Sequence, residues 1–449
     1  MAHRAPCVQP HGALRAPAAR AACSAIRPDV RSGVSLRSGP PDRLRQHLPV
    51  AQAAVGGRRS AGQGAVDSIT VDEEGEYWPW RFGSTIHHVV KGPVDGTPLL
   101  LVPGFGVGAF HFSRNIDQLA AEGYRVFALD ILGQGRSWPA AAPGSEEAAR
   151  EDAPPLVYST DTWTQMLADF CRDVIGGPAY IGGNSLGGFL AVQLAYEHPE
   201  LCRGLLLLNA TPFWSFLPRE EQRSRGLKWL LGKVWDGAVP APRWIRGLIE
   251  RFWWNNLKRP ETIRSMLSLV YADQDAASCP VMIDGIVAPT ERPGAVDAFA
   301  SIAFAPKTRR PFHEMVAALR CPVLLLYGRD DPWVVPLWGQ RAKRVLDARD
   351  GSVPPADYLE LSPAGHCPHH EVPDAVNAAA AAWLARQEAA AGRCSAERAA
   401  AADALGVLAL GAGESVTVGG VGIYRTDGSP RNPFEHFDAL LAKVRGTPV

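Results

Sequence analysis

The sequence lacks an excess of charge of either sign, because 46 basic residues balance 46 acidic residues among its 449 positions. Dedicated nucleic-acid binders usually carry a clear basic excess, so we expect no nucleic-acid partner. The chain also lacks a run of about 18 apolar residues, which argues against a membrane-spanning helix. Its eight cysteines include no CxxC pair. Their spacing therefore predicts neither a zinc site nor a disulfide scaffold, and it favours a reducing compartment.

The balance of charge hides an uneven distribution along the chain. Residues 1–66 contain ten Arg and two Asp but neither Lys nor Glu. The segment is rich in Ala, Ser, Gly and Pro and shows no helical or strand period. Arg-rich, acid-poor N termini are typical of organelle transit peptides. We therefore expect residues 1–66 to be a disordered targeting segment, with an untargeted disordered tail as the alternative; composition alone does not separate chloroplast from mitochondrion.

Short apolar runs, such as YRVFAL (124–129), alternate with predicted helical stretches, such as 162–175, from about residue 72 onward. Wholly apolar runs such as LLLV (99–102) and VLLLY (323–327) are typical of parallel strands that are covered on both faces. The alternation predicts an α/β fold with a mostly parallel central sheet flanked by helices. Ligand chemistry in such sheets lies at the carboxyl ends of the strands, so functional residues are sought directly after each apolar run.

A G-x-S-x-G segment, GNSLG (183–187), follows the run AYI and precedes a helical stretch. This is the strand–turn–helix setting of a nucleophile elbow, which predicts Ser185 as the nucleophile. Acyl transfer needs two preorganised N–H donors for the oxyanion. The N–H of Leu186 and that of Phe105, in the loop after LLLV, are the candidates. The alternatives are Gly-rich turns without a catalytic role.

Two further loops supply a candidate acid and a candidate base. Asp330 and Asp331 follow the VLLLY run, and Asp331 is favoured because it occupies the acid position of a G-x-x-D pattern. His366 lies in a loop after the last predicted strand of the core. The order Ser, Asp, His is that of the α/β-hydrolases. A metal site built from His366 with His369 and His370 is not favoured, because no second cluster of ligands accompanies them.

The chain resembles the pheophytinase family of α/β-hydrolases over roughly residues 78–386. The segments that carry the resemblance are LLLVPGFGVGAFHF (99–112), RVFALDILGQGRSWP (125–139), IGGNSLGGFLAVQLAYEHPEL (181–201), LLLLNATPFWSFLP (205–218), VYADQ (270–274), FASIAFAP (299–306), LLYGRDDPWVVPLWG (325–339) and SPAGHCPHHEVPDAVN (362–377). The resemblance implies a Ser185–His366–Asp331 triad, no cofactor or metal, and a chloroplast esterase that removes the phytyl chain of pheophytin. We also expect Phe213, Trp214 and Trp333 to line the substrate pocket.

The sequence divides into predicted segments that share the hydrolase pattern or depart from it. These are the hydrolase core (72–211 and 307–386), a helical cap (212–306) and an Ala-rich C-terminal extension without an assigned role (387–449), in which residues 414–425 predict a short hairpin. Residues 212–254 hold six of the 13 tryptophans and an excess of Lys and Arg. This composition is typical of a membrane interface and suggests peripheral contact with the thylakoid membrane. The alternative is that these tryptophans form the core of the cap.

Several functions use the same predicted machinery. A chlorophyll dephytylase differs only in its tolerance of the central magnesium, and a generic plastid carboxylesterase or thioesterase needs no pigment at all. A hydrolase-fold ligand receptor, which keeps the triad without turnover, is the non-enzyme alternative. Turnover of pigment esters separates these hypotheses, because fold alone does not determine the substrate.

Overall fold

The computed structural model describes residues 75–143, 145, 156–212, 224–235, 241–304, 308 and 310–428. The predicted transit segment 1–66 and the tentative pocket residues Phe213 and Trp214 lie outside the described residues. Within the described ranges, no helix combines the length and hydrophobicity needed to cross a membrane.

The described residues build one ten-stranded sheet in the order β1-β2-β4-β3-β5-β6-β7-β8-β10-β9. The strands are β1 (Glu76–Trp80), β2 (Ser84–Lys91), β3 (Thr97–Val102), β4 (Tyr124–Leu129), β5 (Ala179–Asn184), β6 (Cys202–Leu208), β7 (Val323–Gly328), β8 (Asp357–Ser362), β9 (Ser415–Val418) and β10 (Val421–Arg425). The six strands from β4 to β8 pair in parallel, and antiparallel strands complete both edges. The predicted mostly parallel sheet is confirmed.

The α-helices of the described residues lie between and after the strands along the chain. They are α1 (Ser113–Ala121), α2 (Thr160–Phe170), α3 (Leu186–Glu197), α4 (Arg225–Val234), α5 (Arg243–Ile249), α6 (Asn255–Leu257), α7 (Pro260–Val270), α8 (Gln274–Ala277), α9 (Pro280–Val287), α10 (Ala295–Phe304), α11 (Phe312–Ala317), α12 (Pro336–Asp347), α13 (Pro368–Glu371), α14 (Pro373–Ala390) and α15 (Ala396–Ala402). Two π-helical turns continue α2 (Cys171–Ile175) and α5 (Glu250–Trp254).

The central strands are wholly apolar because both faces of the sheet are covered. In β3, Leu100 and Val102 pack on the face that carries α2 and α3, whereas Leu99 and Leu101 pack on the face that carries α1 and α14. Full burial of such a side chain stabilises the fold by about 1.5–3 kcal/mol. The hydrophobic core thus lies in two layers, and the carboxyl ends of the parallel strands form one edge between them.

The described part of the predicted cap range 212–306 contains only helices and turns. We use "cap helices" for α4 to α10 together with the π-helical turn after α5. The helices at the end of this range contact the core, since Ala298 and Ile302 of α10 are buried in the same cluster as the α2 and α3 side chains.

The C-terminal hairpin extends the central sheet. The predicted hairpin within residues 414–425 is present as β9 and β10, and β10 pairs with β8. Ile423 is fully buried, and the Arg425 guanidinium donates to Asp357 Oδ1 over 2.8 Å. The predicted boundary between residues 386 and 387 falls inside α14. The sheet therefore does not end where the extension was predicted to begin.

Candidate active site

Ser185 occupies the tight turn between β5 and α3. Its backbone has φ 52° and ψ −116°, a conformation that costs a non-glycine residue about 1–3 kcal/mol. The flanking glycines make the turn feasible, because a Cβ at Gly183 would lie 2.4 Å from the Gly187 carbonyl oxygen. A Cβ at Gly187 would lie 2.1 Å from the carbonyl oxygen of Val102 at the end of β3. The strained turn holds Ser185 at the carboxyl edge of the sheet.

His366 and Asp331 form a buried pair at the same edge. His366 Nδ1 lies 2.7 Å from Asp331 Oδ2. The carboxylate also accepts hydrogen bonds from the Trp333 and Val334 N–H groups, at 2.7 and 3.0 Å. Burial alone raises the pKa of the Asp331 carboxyl, but the hydrogen bond and charge of His366 and these backbone donors bring the pKa below its usual value. The carboxylate is therefore held in its charged form.

The neighbouring Asp330 has a different role in the loop. Its Oδ2 accepts hydrogen bonds from the Ala364 N–H at 3.0 Å and from the Ser362 hydroxyl at 3.2 Å. These contacts tie the turn after β7 to the turn after β8. Of the two adjacent aspartates, the geometry thus pairs Asp331 with His366.

Two asparagines that the sequence analysis did not single out connect these parts. Asn209, directly after β6, donates from its amide to Asp331 Oδ2 at 2.7 Å. Asn184, directly before Ser185, donates to the carbonyl oxygens of Leu208 and His366, both at 3.0 Å. Both asparagines lie in segments that carry the family resemblance. For Asn209, its position directly after the apolar run of β6 was the available signal, whereas Gly182 and Gly183 separate Asn184 from the apolar run of β5.

The loop after β3 lies against the elbow. A Cβ at Gly104 would be 3.1 Å from Asn184 Oδ1 and 3.4 Å from Ser185 Cβ, so only glycine lets the backbone approach this closely. Phe105 follows in this loop, and Leu186 begins α3. Because β3 and β5 are adjacent parallel strands, the loop that contains Phe105 and the turn that contains Leu186 leave the sheet at the same edge.

Glu371 fastens the histidine loop to the cap helices. Its buried carboxylate accepts N–H groups from Gly365 and Cys367, at 3.1 and 3.0 Å, on either side of His366. It also accepts the N–H groups of Ala272 and Asp273 just after α7, at 2.7 and 3.1 Å. Burial raises the pKa of Glu371, and the backbone donors oppose that rise.

His111, His369 and His370 form a cluster of buried histidines beside Glu371. His111 Nδ1 lies 3.2 Å from His369 Nε2, and His111 Nε2 lies 2.9 Å from the Tyr271 hydroxyl. Burial, with the charge of nearby His366, lowers the pKa of His111 to about 3, and burial brings the pKa values of His369 and His370 well below their usual range. In the part of the chain that the structure describes, no group of His, Cys, Asp and Glu is arranged to hold a metal ion.

Ser185 and His366 line a cavity of about 220 Å³ between the sheet edge and the cap helices. Its walls on the cap side are mostly apolar, with Lys258 and Thr290 beside Trp254, Ile263, Met266, Leu267, Ile286 and Phe299. Trp333 also lines the cavity; it is 57% exposed, and its ring centroid lies 6.1 Å from that of His366. The cavity therefore offers an apolar site next to a nucleophile and a base.

A strained serine elbow, a buried His–Asp pair and an apolar cavity under helices are the parts of a serine hydrolase. Residues 99–379 match the family model described as the alpha/beta hydrolase family. The chain belongs to this family, and the predicted fold class is confirmed. An esterase structure from Thermogutta terrifontis, 21% identical, matches with a TM-score of 0.50 over 70% of this chain and 99% of its own, which supports the fold alone.

This chain is similar to "Pheophytinase, chloroplastic" of Arabidopsis thaliana. The two are 39% identical over 333 residues, which cover 69% of this chain and 66% of the relative. It is also 28% identical over 298 residues to the human "(Lyso)-N-acylphosphatidylethanolamine lipase", covering 63% of this chain and 78% of that protein. The resemblance to the pheophytinase family is confirmed, and the family and its relatives together support an ester hydrolase.

Proposed function

We propose that this protein is a serine hydrolase that cleaves the phytyl ester of pheophytin to pheophorbide and phytol. The observation that carries the proposal is the 2.7 Å His366–Asp331 pair, which shares an apolar cavity with Ser185. The similarity to a chloroplastic pheophytinase supports the substrate. An apolar wall with few polar groups suits a long prenyl chain.

The proposed mechanism uses residues of this chain alone. Asp331 accepts a hydrogen bond from His366 Nδ1–H without taking the proton, and this holds the imidazole in the tautomer whose Nε2 takes the proton of the Ser185 hydroxyl. Ser185 Oγ attacks the ester carbonyl, and the N–H groups of Phe105 and Leu186 stabilise the oxyanion. His366 returns the proton to phytol as the C–O bond breaks. Water, deprotonated by His366, then attacks the acyl carbonyl, and His366 passes this proton to Ser185 Oγ as its bond to the acyl group breaks and pheophorbide leaves.

We assign this activity to the chloroplast, with contact to the thylakoid membrane through the cap. The acid-poor, Arg-rich segment 1–66 supports import as a transit peptide, and the name of the Arabidopsis relative supports the compartment. Residues 212–306 are proposed to act as a cap over the core formed by 72–211 and 307–386. Phe213 and Trp214 remain proposed pocket residues together with Trp333.

The test compares the full chain with Ser185→Ala and with Ser268→Ala, a control serine on the exposed side of α7. Each protein is incubated with pheophytin a and with chlorophyll a in detergent, and the pigments are separated by chromatography. Pheophorbide from the wild type and from Ser268→Ala, but not from Ser185→Ala, supports the proposal. Equal release of chlorophyllide makes the protein a broader dephytylase, and absence of product from both pigments overturns the substrate.

A further inference from the structure

The outer face of α5 and of the π-helical turn that follows it exposes a row of large apolar side chains. Ile245 and Ile249 are buried on the inner face. Trp244, Leu248 and Phe252, spaced by four residues, are 55%, 48% and 59% exposed. A surface helix normally places polar residues opposite its buried stripe, and a contiguous apolar row there marks an interaction surface.

Helix α4 exposes its apolar side chains even more fully than α5 does. It contains five large apolar residues, yet none of its side chains is buried. Trp229 and Leu230 are among its exposed residues. Lys233 lies over the Trp229 ring, with its amine 4.2 Å from the ring centroid. A helix of this composition gains little stability from the core, so its apolar residues fit a partner outside the fold.

The charges around these rows are almost all positive. Described residues 224–235 and 241–259 contain eight Lys and Arg and one acidic residue, Glu250. Arg246 and Lys258 pair with Asp297 and Glu291, each at 3.0 Å. The other six cations are exposed: Arg225, Lys228, Lys233, Arg243, Arg251 and Arg259. Tryptophan beside basic residues on a helix face is typical of an anionic membrane interface.

The same helical segment leads to the catalytic cavity. Trp254 at the end of the π-helical turn, Leu257 in α6 and Lys258 all line the cavity that Ser185 reaches. A membrane in contact with the outer face would thus lie next to the cavity wall. A lipid-embedded ester would have a short apolar path from bilayer to nucleophile.

We propose that the exposed apolar and basic side chains of residues 225–234 and 243–259, here the interfacial patch (Trp229, Leu230, Trp244, Leu248, Phe252, Trp253 and the six cations), dock on an anionic lipid surface. A second copy of the chain is a poorer partner, because a symmetric contact would bring like charges together. The inference deepens the proposed function, since it identifies the surface through which a pigment hydrolase reaches its lipid-embedded substrate. Docking itself is measurable without any pigment.

The experiment measures flotation of the full chain with phosphatidylcholine vesicles, with and without phosphatidylglycerol. The triple variant combines Trp244→Ser, Leu248→Ser and Phe252→Ser. The double Arg variant combines Arg243→Gln and Arg251→Gln. Tyr77→Ser is the matched control, because Tyr77 is an aromatic residue of β1 that is 54% exposed, close to the 55% of Trp244. Hydrolysis of a short water-soluble ester is recorded for every protein; since no substituted residue lines the cavity, it should remain unchanged and report folding.

Wild type and Tyr77→Ser should bind the anionic vesicles. The double Arg variant should bind about fivefold more weakly for each charge removed, and the triple variant more than about tenfold more weakly. Equal flotation of all proteins overturns the proposal. The proposal is also overturned if the wild type does not bind vesicles and instead self-associates in a way that the triple variant abolishes. If a variant loses vesicle binding but hydrolyses the short ester at the wild-type rate, the docking inference is supported whether or not pheophytin proves to be the substrate.

Discussion

Asn209 donates its side-chain amide to the same Asp331 oxygen that lies 2.7 Å from His366 Nδ1, and at the same 2.7 Å distance. Asn209 has φ 42°, a left-handed conformation that asparagine tolerates better than most residues. Its Oδ1 accepts the Gly328 N–H at the end of β7, at 2.9 Å. One side chain thus links two strand ends and orients the carboxylate that faces the histidine.

We expect Asn209→Ala to lower kcat with little change in KM. Asn209 is not among the residues that line the cavity, so it acts on the orientation of Asp331 rather than on substrate contact. Loss of a hydrogen bond to a charged group costs about 1.5–3 kcal/mol, which corresponds to a fall in rate of about tenfold to about 150-fold. Steady-state kinetics with a short ester measures this fall. Asn256→Ala, at an exposed asparagine of α6, is the control; an unchanged kcat for Asn209→Ala would rule out the positioning role.

The two adjacent aspartates should respond differently to the same substitution. Asp331→Asn removes the acceptor of His366 Nδ1–H and should reduce kcat by about 10⁴-fold, as expected when the base is left in the wrong tautomer. Asp330→Asn keeps a side-chain oxygen for the Ala364 N–H and should change kcat by less than about tenfold. Stopped-flow hydrolysis of a chromogenic ester resolves both rates. Equal losses in the two variants would contradict the assignment of Asp331.

Local sequence patterns were sufficient to predict the central strands. The run predicted at 124–129 is β4 with the same bounds, and the VLLLY run is β7 lengthened by Gly328. These strands are buried on both faces, so their sequence is apolar throughout. The helix predicted at 162–175 begins at Thr160 because the Ser159 hydroxyl accepts the Thr162 N–H at 3.1 Å, and its end is a π-helical turn.

What the sequence could not predict depends on contacts between distant residues. The hairpin at 414–425 was recognisable from its turn, but β10 pairs with residues of β8 that lie 60 to 66 positions earlier, from Gly422 with Ser362 to Arg425 with Leu359, and this pairing has no local signal. The same holds for Glu371, which accepts the Ala272 N–H 99 positions away. VYADQ (270–274) and SPAGHCPHHEVPDAVN (362–377) are separate segments of the sequence. Only the fold shows that the Glu371 carboxylate accepts backbone N–H groups from both.

Glu371→Gln should weaken both stability and catalysis. Glu371 Oε2 accepts three N–H groups, from Gly365, Ala272 and Asp273, and an amide cannot replace both carboxylate oxygens as acceptors. A buried donor without an acceptor costs about 1–3 kcal/mol. We expect a loss of about that size in urea unfolding, together with a lower kcat from the released His366 loop. Glu122→Gln, at an exposed position after α1, should change neither quantity; wild-type stability in Glu371→Gln would contradict the clamp.

The buried histidine cluster should make the protein sensitive to acid, and His370 offers the clearest test. Both of its ring nitrogens are buried without a hydrogen-bond partner among the described residues. Burial, followed by the charges of His111 and Arg114, lowers its pKa well below the usual value. An unfolded histidine has a pKa of about 6.5. Below that pH the unfolded chain takes up a proton that the folded chain does not. The free energy of unfolding therefore decreases as the pH is lowered.

His370→Phe should remove part of this acid sensitivity. Between about pH 7 and about pH 5 one buried neutral histidine accounts for a loss of about 2 kcal/mol in the free energy of unfolding. The variant should therefore lose about 2 kcal/mol less than the wild type over that interval in urea titrations. His313→Phe, at an exposed position in α11, should keep the wild-type loss. If His370→Phe and wild type lose equal stability, the ring at position 370 takes up its proton in the folded state, and the cluster is then open enough to hydrate a charge.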